Sequence, residues 1–298
     1  MSLLSSMLLT SSAAPVTING IISNFAGTGA TGSTGNGGQA TAAKLYYPYG
    51  IAFDGSGNAY IADNFNHLIR KVTPGGIIST FAGTGVAGFT GDSGLATSAK
   101  LDSPGGVSVD ASGNVYIADS GNNRIRKVTT GGIISTFAGT GAVGSTGDGG
   151  QATAAEISYP SGIAFDAFGN SYISDSDNSL VRKVTTSGII STFAGTGAAG
   201  STGDGGQATS AEIDSAAGIA VDSSGNVYFA DNYSNRVRKV TTGGIISTFA
   251  GTGATGSTGD GGQATAAEIN RPYGIAFDAS GNMYIADSGN NRIRKVTT

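Results

Sequence analysis

The stretch GIISTFAGTGATG (Gly244–Gly256) holds, at 251–256, a G-x-G-x-x-G pattern behind an apolar, β-branched run. Taken alone, it matches the phosphate-binding turn of a dinucleotide fold. That turn needs its last glycine to open a long crossover helix. Here the next residues are STGDGG, which no helix would follow through. The pattern also recurs in kind at 27–32, 83–88, 139–144, 195–200 and 251–256. Five nucleotide sites in one chain are implausible, so the glycines are read as turn formers in a repeat, and no cofactor is expected.

Counting outward from that stretch sets the period. The string FAGTG begins at Phe25, Phe81, Phe137, Phe193 and Phe249, 56 residues apart. The pair Arg-Lys recurs at Arg70, Arg126, Arg182, Arg238 and Arg294 with the same step. Residues 16–295 therefore divide into units 16–71, 72–127, 128–183, 184–239 and 240–295, and 296–298 start another. The segment 1–15 stands apart as a tail or a weak signal-like stretch that lacks a basic n-region.

Each unit holds four short strand candidates. In the last they are YGIAFD (273–278), MYIAD (283–287) and RIRKVT (292–297), with GIISTFAG (244–251) as the fourth-strand type. Short glycine-bearing linkers join them as hairpins do. One such sheet cannot bury both faces, and stacking the copies around an axis does so. The expected fold is an all-β propeller of five four-stranded antiparallel blades. GIISNFAG (20–27) begins the chain as a fourth strand, and it is expected to complete the last blade and close the ring. QATAAEI is expected as a one- or two-turn helix on the path between blades.

Composition narrows the function classes. Among 298 residues there are 51 glycines, no cysteine, a single histidine and a net charge of −4. The acidic balance argues against a nucleic-acid partner. Without cysteine there is neither a disulfide framework nor a thiolate site. No apolar run is long enough for a membrane helix. The compartment stays open, with an extracellular or cell-surface location the one the first residues hint at.

The motif PYGIAFDASGNMYIADSGNNRIRKV (272–296) resembles NHL repeats. With FAGTG and GDGGQATAAEI added, the unit is similar to the NHL propellers of teneurins, over essentially all of 16–298. NHL propellers usually have six blades, and this chain supplies five. Some NHL-like relatives are metal-dependent lyases whose sites lean on several histidines. His67 alone cannot build such a site, so a lyase or hydrolase centred on the channel is the alternative reading rather than the leading one.

The repeated polar residues read as structural. Asp54, Asp110, Asp166, Asp222 and Asp278 open D-x-x-G-N turns. Tyr60, Tyr116, Tyr172, Tyr228 and Tyr284 are expected to pack between blades. The arginines are expected to pair with Asp63, Asp119, Asp175, Asp231 and Asp287 as exposed pairs of small value. DSDNS (175–179) begins like a calcium loop, but Leu180 stands where glycine is needed. NYS (232–234) is a glycosylation sequon of the kind chance supplies. His67 takes a loop position held elsewhere by Asn123, Ser179, Asn235 and Asn291, and reads as an exposed polar substitution.

Variation concentrates in two loops. One precedes the first strand (46–50 and its equivalents), and the other joins strands two and three (64–69 and its equivalents). In an up-and-down blade both open on one face. A varied face on a uniform scaffold is the expected binding surface for a protein or glycan. Its candidate anchors are Tyr46, Tyr47, Tyr49, Phe65, His67, Tyr159, Tyr233, Arg271 and Tyr273, types that dominate interface hot spots. The third reading is a structural or adhesive module whose loops have drifted.

Overall fold

The computed structural model describes residues 23–297. The first unit carries β1 (Pro48–Phe53), β2 (Ala59–Asp63), β3 (Leu68–Val72) and β4 (Ile78–Ala82). The second carries β5 (Pro104–Val109), β6 (Val115–Asp119), β7 (Arg124–Val128) and β8 (Ile134–Ala138). The third carries β9 (Pro160–Phe165), β10 (Ser171–Asp175), β11 (Leu180–Val184) and β12 (Ile190–Ala194). The fourth carries β13 (Ala216–Val221), β14 (Val227–Asp231), β15 (Arg236–Val240) and β16 (Ile246–Ala250). The fifth carries β17 (Pro272–Phe277), β18 (Met283–Asp287) and β19 (Arg292–Val296). Strands pair antiparallel in chain order, in four sheets of four and, among the described residues, one of three. The all-β, five-bladed propeller is thus as the repeat implies. Residues 20–22 of the expected closing strand, like the segment 1–15, lie outside the described residues.

The hairpins form for the reason their residues suggest. Asp110 Oδ1 accepts the N–H groups of Ser112 and Asn114 at 2.9 and 2.8 Å. Gly113 supplies the φ of +82° the turn requires. The other oxygen, Oδ2, accepts the Tyr116 hydroxyl at 3.2 Å. The Tyr116 ring is buried between Phe137 of its own blade (5.0 Å) and Phe165 of the next (4.7 Å). Among the described residues, four of the five apolar clusters accordingly join two neighbouring sheets, and the fifth packs within the first blade. Tyr116, Ala118, Ile125 and Ala138 pack with Ile163, Ile173, Val184 and Ile190 of the following blade.

First strands meet backbone to backbone around the axis. A Cβ on Gly106 would lie 2.6 Å from the Ser161 carbonyl oxygen, and one on Gly218 2.5 Å from that of Tyr273. QATAAEI forms a single three-residue 3-10 turn, Ala152–Ala154 in the third unit, shorter than the helix expected. The helix stops because the Glu156 N–H returns to the Thr146 carbonyl instead of continuing the turn.

The arginine pairs form with the expected aspartates, but they are not exposed. Arg126 and Asp119 are both fully buried, with Nη1 at 3.2 Å from Oδ2. The pairs Arg70–Asp63, Arg182–Asp175 and Arg238–Asp231 repeat this. Each buried carboxylate also ties two loops. Asp119 Oδ1 accepts the Asp102 N–H at 2.7 Å, and Oδ2 accepts the Asn122 side-chain amide at 2.9 Å. The second arginine nitrogen, Nη2, reaches back 34 residues to Asp92 at 2.6 Å. The sequence reading misjudged burial because stacking the next blade covers both partners. A pair of this kind is costly to break, at about 3–5 kcal/mol, because the surviving charge stays buried.

Burial pushes the carboxyls of Asp119, Asp175 and Asp231 up to about 6, against the pull of backbone N–H groups and arginine. Their contribution to stability is therefore full below the unfolded value near 3.8 and is lost as pH rises through about 6. Asp148 and Asp204 behave oppositely. Burial raises them, but hydrogen bonds from Thr192 or Thr248, and from arginine, outweigh it and hold them low. Their contribution is lost as pH falls below the ordinary carboxyl range. Urea unfolding across pH 3 to 8 is expected to show a stability maximum between about 4 and 6. Asp175→Asn should flatten the decline between pH 5 and 7. An unchanged slope in that variant would remove Asp175 as its source.

Candidate binding face

The buried aspartates build the face. The Oδ1 atoms of Asp63, Asp119, Asp175, Asp231 and Asp287 hold the N–H groups of Tyr46, Asp102, Ser158, Asp214 and Asn270 at 2.7–2.8 Å. Each is the first residue of a varied loop. The two varied loops of a unit are themselves hydrogen-bonded: Asn64 N–H donates to the Tyr47 carbonyl, and Phe65 N–H to that of Tyr46. Both loops therefore open on one face, as expected from an up-and-down blade. The conserved geometry includes a left-handed residue in each loop. Tyr47, Ser103, Tyr159, Ser215 and Arg271 have φ between +46° and +63°. Since all five units share it, this conformation belongs to the loop and not to a particular site.

The predicted anchors fall into three groups. Tyr46, Tyr47 and Phe65 form one aromatic cluster, with Phe65 5.1 Å from Tyr46 and 4.8 Å from Tyr47. Tyr47 is the most exposed of them at 60%. Tyr49 and Tyr273 stack at 5.5 Å with rings 24° apart, joining the first and last blades. Burial pushes the Tyr273 hydroxyl up, and the phenols of Tyr49 and Tyr159 beside it add to that. Tyr159 is exposed on the same face, at the loop position equivalent to Tyr47. The third is Arg271, whose guanidinium lies 5.4 Å from the centre of the exposed Tyr233 ring.

Beneath the stacked pair lies a channel cavity of about 510 Å³, lined by Tyr49, Tyr273 and the glycines of the first strands. A second cavity, also about 510 Å³, is open between Tyr49, Tyr273, Arg271, Asn232 and Ser288. Asn232 was noted in the sequence only as the start of a sequon, and Ser288 was not singled out. They sit at one repeat position, and that shared position is the signal that could have found them.

His67 is different from the expectation. It is half-buried, and its Nδ1 accepts the Ser103 N–H of the next blade at 3.0 Å. Asn123 does the same for Tyr159, and Asn235 for Arg271, each at 2.9 Å. The bond assigns Nε2 as the protonated nitrogen of the neutral ring. His67 is thus an inter-blade latch, and its position alone gave no sign of that.

The Teneurin NHL domain family matches at residues 25–88, 85–146, 142–202 and 197–258. The chain belongs to the teneurin NHL domain family. Mouse Teneurin-3 is 34% identical over 233 residues, which is 70% of this chain and 8% of that protein's length. Among solved structures, an auxiliary nutrient binding protein from Bacteroides thetaiotaomicron has a TM-score of 0.63 at 18% identity, over 86% of this chain and 60% of that one. A virginiamycin B lyase from Staphylococcus aureus, solved with quinupristin, has a TM-score of 0.51 at 19% identity, over 84% and 81%. These two share the fold. Among the described residues of this teneurin-type propeller, no three metal-ligating side chains gather, and no helix is long and apolar enough to cross a membrane.

The latch makes a specific prediction. His67→Ala should cost about 1–2 kcal/mol of stability, from a lost acceptor and a left-handed alanine. His67→Asn should restore it, because Asn123 and Asn235 already do this work. Chemical denaturation of the three proteins tests this, and an equal loss in both variants would assign His67 another role.

Proposed function

We propose that this NHL propeller is a non-catalytic binding module that recognises a protein or glycan through the varied face. The observation that carries this is the convergence of Tyr46, Tyr47 and Phe65 with the Tyr49–Tyr273 stack on one rim, over a cavity bounded by Arg271. Rigid aromatic side chains give large contact area at low entropy cost, and an arginine held against a ring adds a directed cation. The opposite face is uniform, because its D-x-x-G-N turns are fixed by their own hydrogen bonds.

The test begins with glycan arrays and panels of extracellular protein domains probed with the full chain. For any ligand so found, Tyr47→Ala with Tyr49→Ala should weaken binding by about 30-fold or more, the scale of a hot spot of ~2 kcal/mol. Ser112→Ala, in an opposite-face turn, should leave it unchanged. The reverse pattern would place the site on the wrong face. The competing reading, a metal-dependent lyase or hydrolase at the channel, shares its fold with the virginiamycin B lyase. Elemental analysis of the purified protein finding one bound metal per chain would favour that reading.

A further inference from the structure

In each glycine loop one residue faces the third-strand arginine. Asp92, Asp148, Asp204 and Asp260 hold that position in the last four units, and Asn36 holds it in the first. The carboxylates lie 2.5–2.8 Å from Nη2 of Arg126, Arg182, Arg238 and Arg294. Each of these arginines therefore has two carboxylate partners, the loop aspartate and the one that ends the second strand. Burial raises the Asp92 carboxyl, but hydrogen bonds from Thr136 and Arg126 outweigh it and hold it low. The position thus favours a negative charge. Arg70 is fully buried and, among the described residues, has one carboxylate partner, Asp63, at 3.3 Å. Its other nitrogen donates to the neutral Asn36 Oδ1 at 2.9 Å, while Asn36 Nδ2 donates to Thr80 Oγ1 at 3.0 Å.

Asn36 is exposed and is followed by Gly37, and the two form the centre of a tight turn. The Gly38 N–H donates to the Gly35 carbonyl at 3.1 Å, and Gly37 has a φ of +81°. A glycine after an asparagine leaves the side-chain amide open to attack by the next main-chain nitrogen, since no Cβ obstructs the approach. In the folded blade that nitrogen is withheld. The Gly37 N–H donates to the Ile78 carbonyl of β4 at 2.8 Å, and the Ile78 N–H returns to the Gly38 carbonyl at 3.0 Å. Attack therefore waits until β4 leaves the loop.

We propose that Asn36–Gly37 is a self-modification site gated by the fourth strand of the first blade, and that its aspartyl product gives Arg70 the second carboxylate present in the other blades. When β4 opens, the Gly37 nitrogen gives its proton to water or hydroxide and attacks Asn36 Cγ. The Cγ–Nδ2 bond breaks, Nδ2 leaves as ammonia, and a five-membered imide closes. Water then opens the imide. Cleavage between the Gly37 nitrogen and Cγ restores the main chain and leaves an aspartate at position 36. Cleavage between that nitrogen and the main-chain carbonyl carbon leaves an isoaspartyl link. The two products meet opposite fates. The aspartate keeps the turn and accepts from Arg70 and Thr80 as Asp92 accepts from Arg126 and Thr136. The isoaspartyl link adds a main-chain atom to a turn that is pinned to Ile78 by two bonds, so the strand does not seat as before.

The chain has a second Asn-Gly pair, Asn19–Gly20, outside the described residues, so conversion is read by peptide mapping with mass spectrometry. The full chain is held at mildly alkaline pH, in buffer and in unfolding urea. The peptide with Asn36 should gain about one mass unit at least tenfold faster in the urea, because opening frees the Gly37 N–H. Equal rates would overturn the gate, and no conversion in the unfolded chain would overturn the site. Asn36→Asp tests the product directly. It should raise the urea midpoint above that of freshly prepared, unconverted protein. A midpoint equal to or below it would overturn the claim that Arg70 gains a useful partner.

Discussion

The buried arginine–aspartate pair is the constraint on which the rest of this propeller depends. In the second blade, Asp119 joins the end of the second strand to the third strand through Arg126, and to both varied loops through Asp102 and Asn122. Arg126 then reaches the glycine loop through Asp92. One pair thus fixes the sheet, the rim and the path between blades. The cost of desolvating two charges is offset only because nearly every lone pair of the carboxylate finds a donor. Such a network tolerates variation in loop side chains while holding the loop backbone, since its contacts to the first varied loop are to main-chain N–H groups. The rim can therefore change its chemistry without changing its shape.

Between blades a second set of interactions takes over. Tyr116 wedges against Phe165, Asn123 latches the Tyr159 N–H, and Ser120 donates to the Pro160 carbonyl at 2.7 Å. These contacts are nearest-neighbour in kind, as in other repeat proteins. The rim anchors are consequences of where such contacts stop. Tyr49 and Tyr273 stack across the junction of the first and last blades, at the position where the intervening units have glycine, serine and alanine. The aromatic asymmetry of the face is therefore centred on that junction.

Much of this was legible in the chain. The 56-residue period, the strands 272–277 and 283–287, and the D-x-x-G-N turns follow from local residue types whose preferences need only near neighbours. The burial of the arginines was not legible, because it arises when the next sheet covers a charge that its own sheet leaves open. The role of His67 was hidden for a related reason: its partner, Ser103, is 36 residues away on another blade. QATAAEI promised more helix than it forms, since the loop carbonyl of Thr146 competes for the next amide.

By itself, the sequence determined the blade, the number of blades and the face on which variation accumulates. Each of these is carried by periodicity and by turn chemistry. Only the tertiary structure decided which charges are buried, which loop residues latch neighbouring blades, and which aromatics meet. Those outcomes depend on distances between residues far apart in the chain, and such distances exist only once the sheets have stacked around their axis.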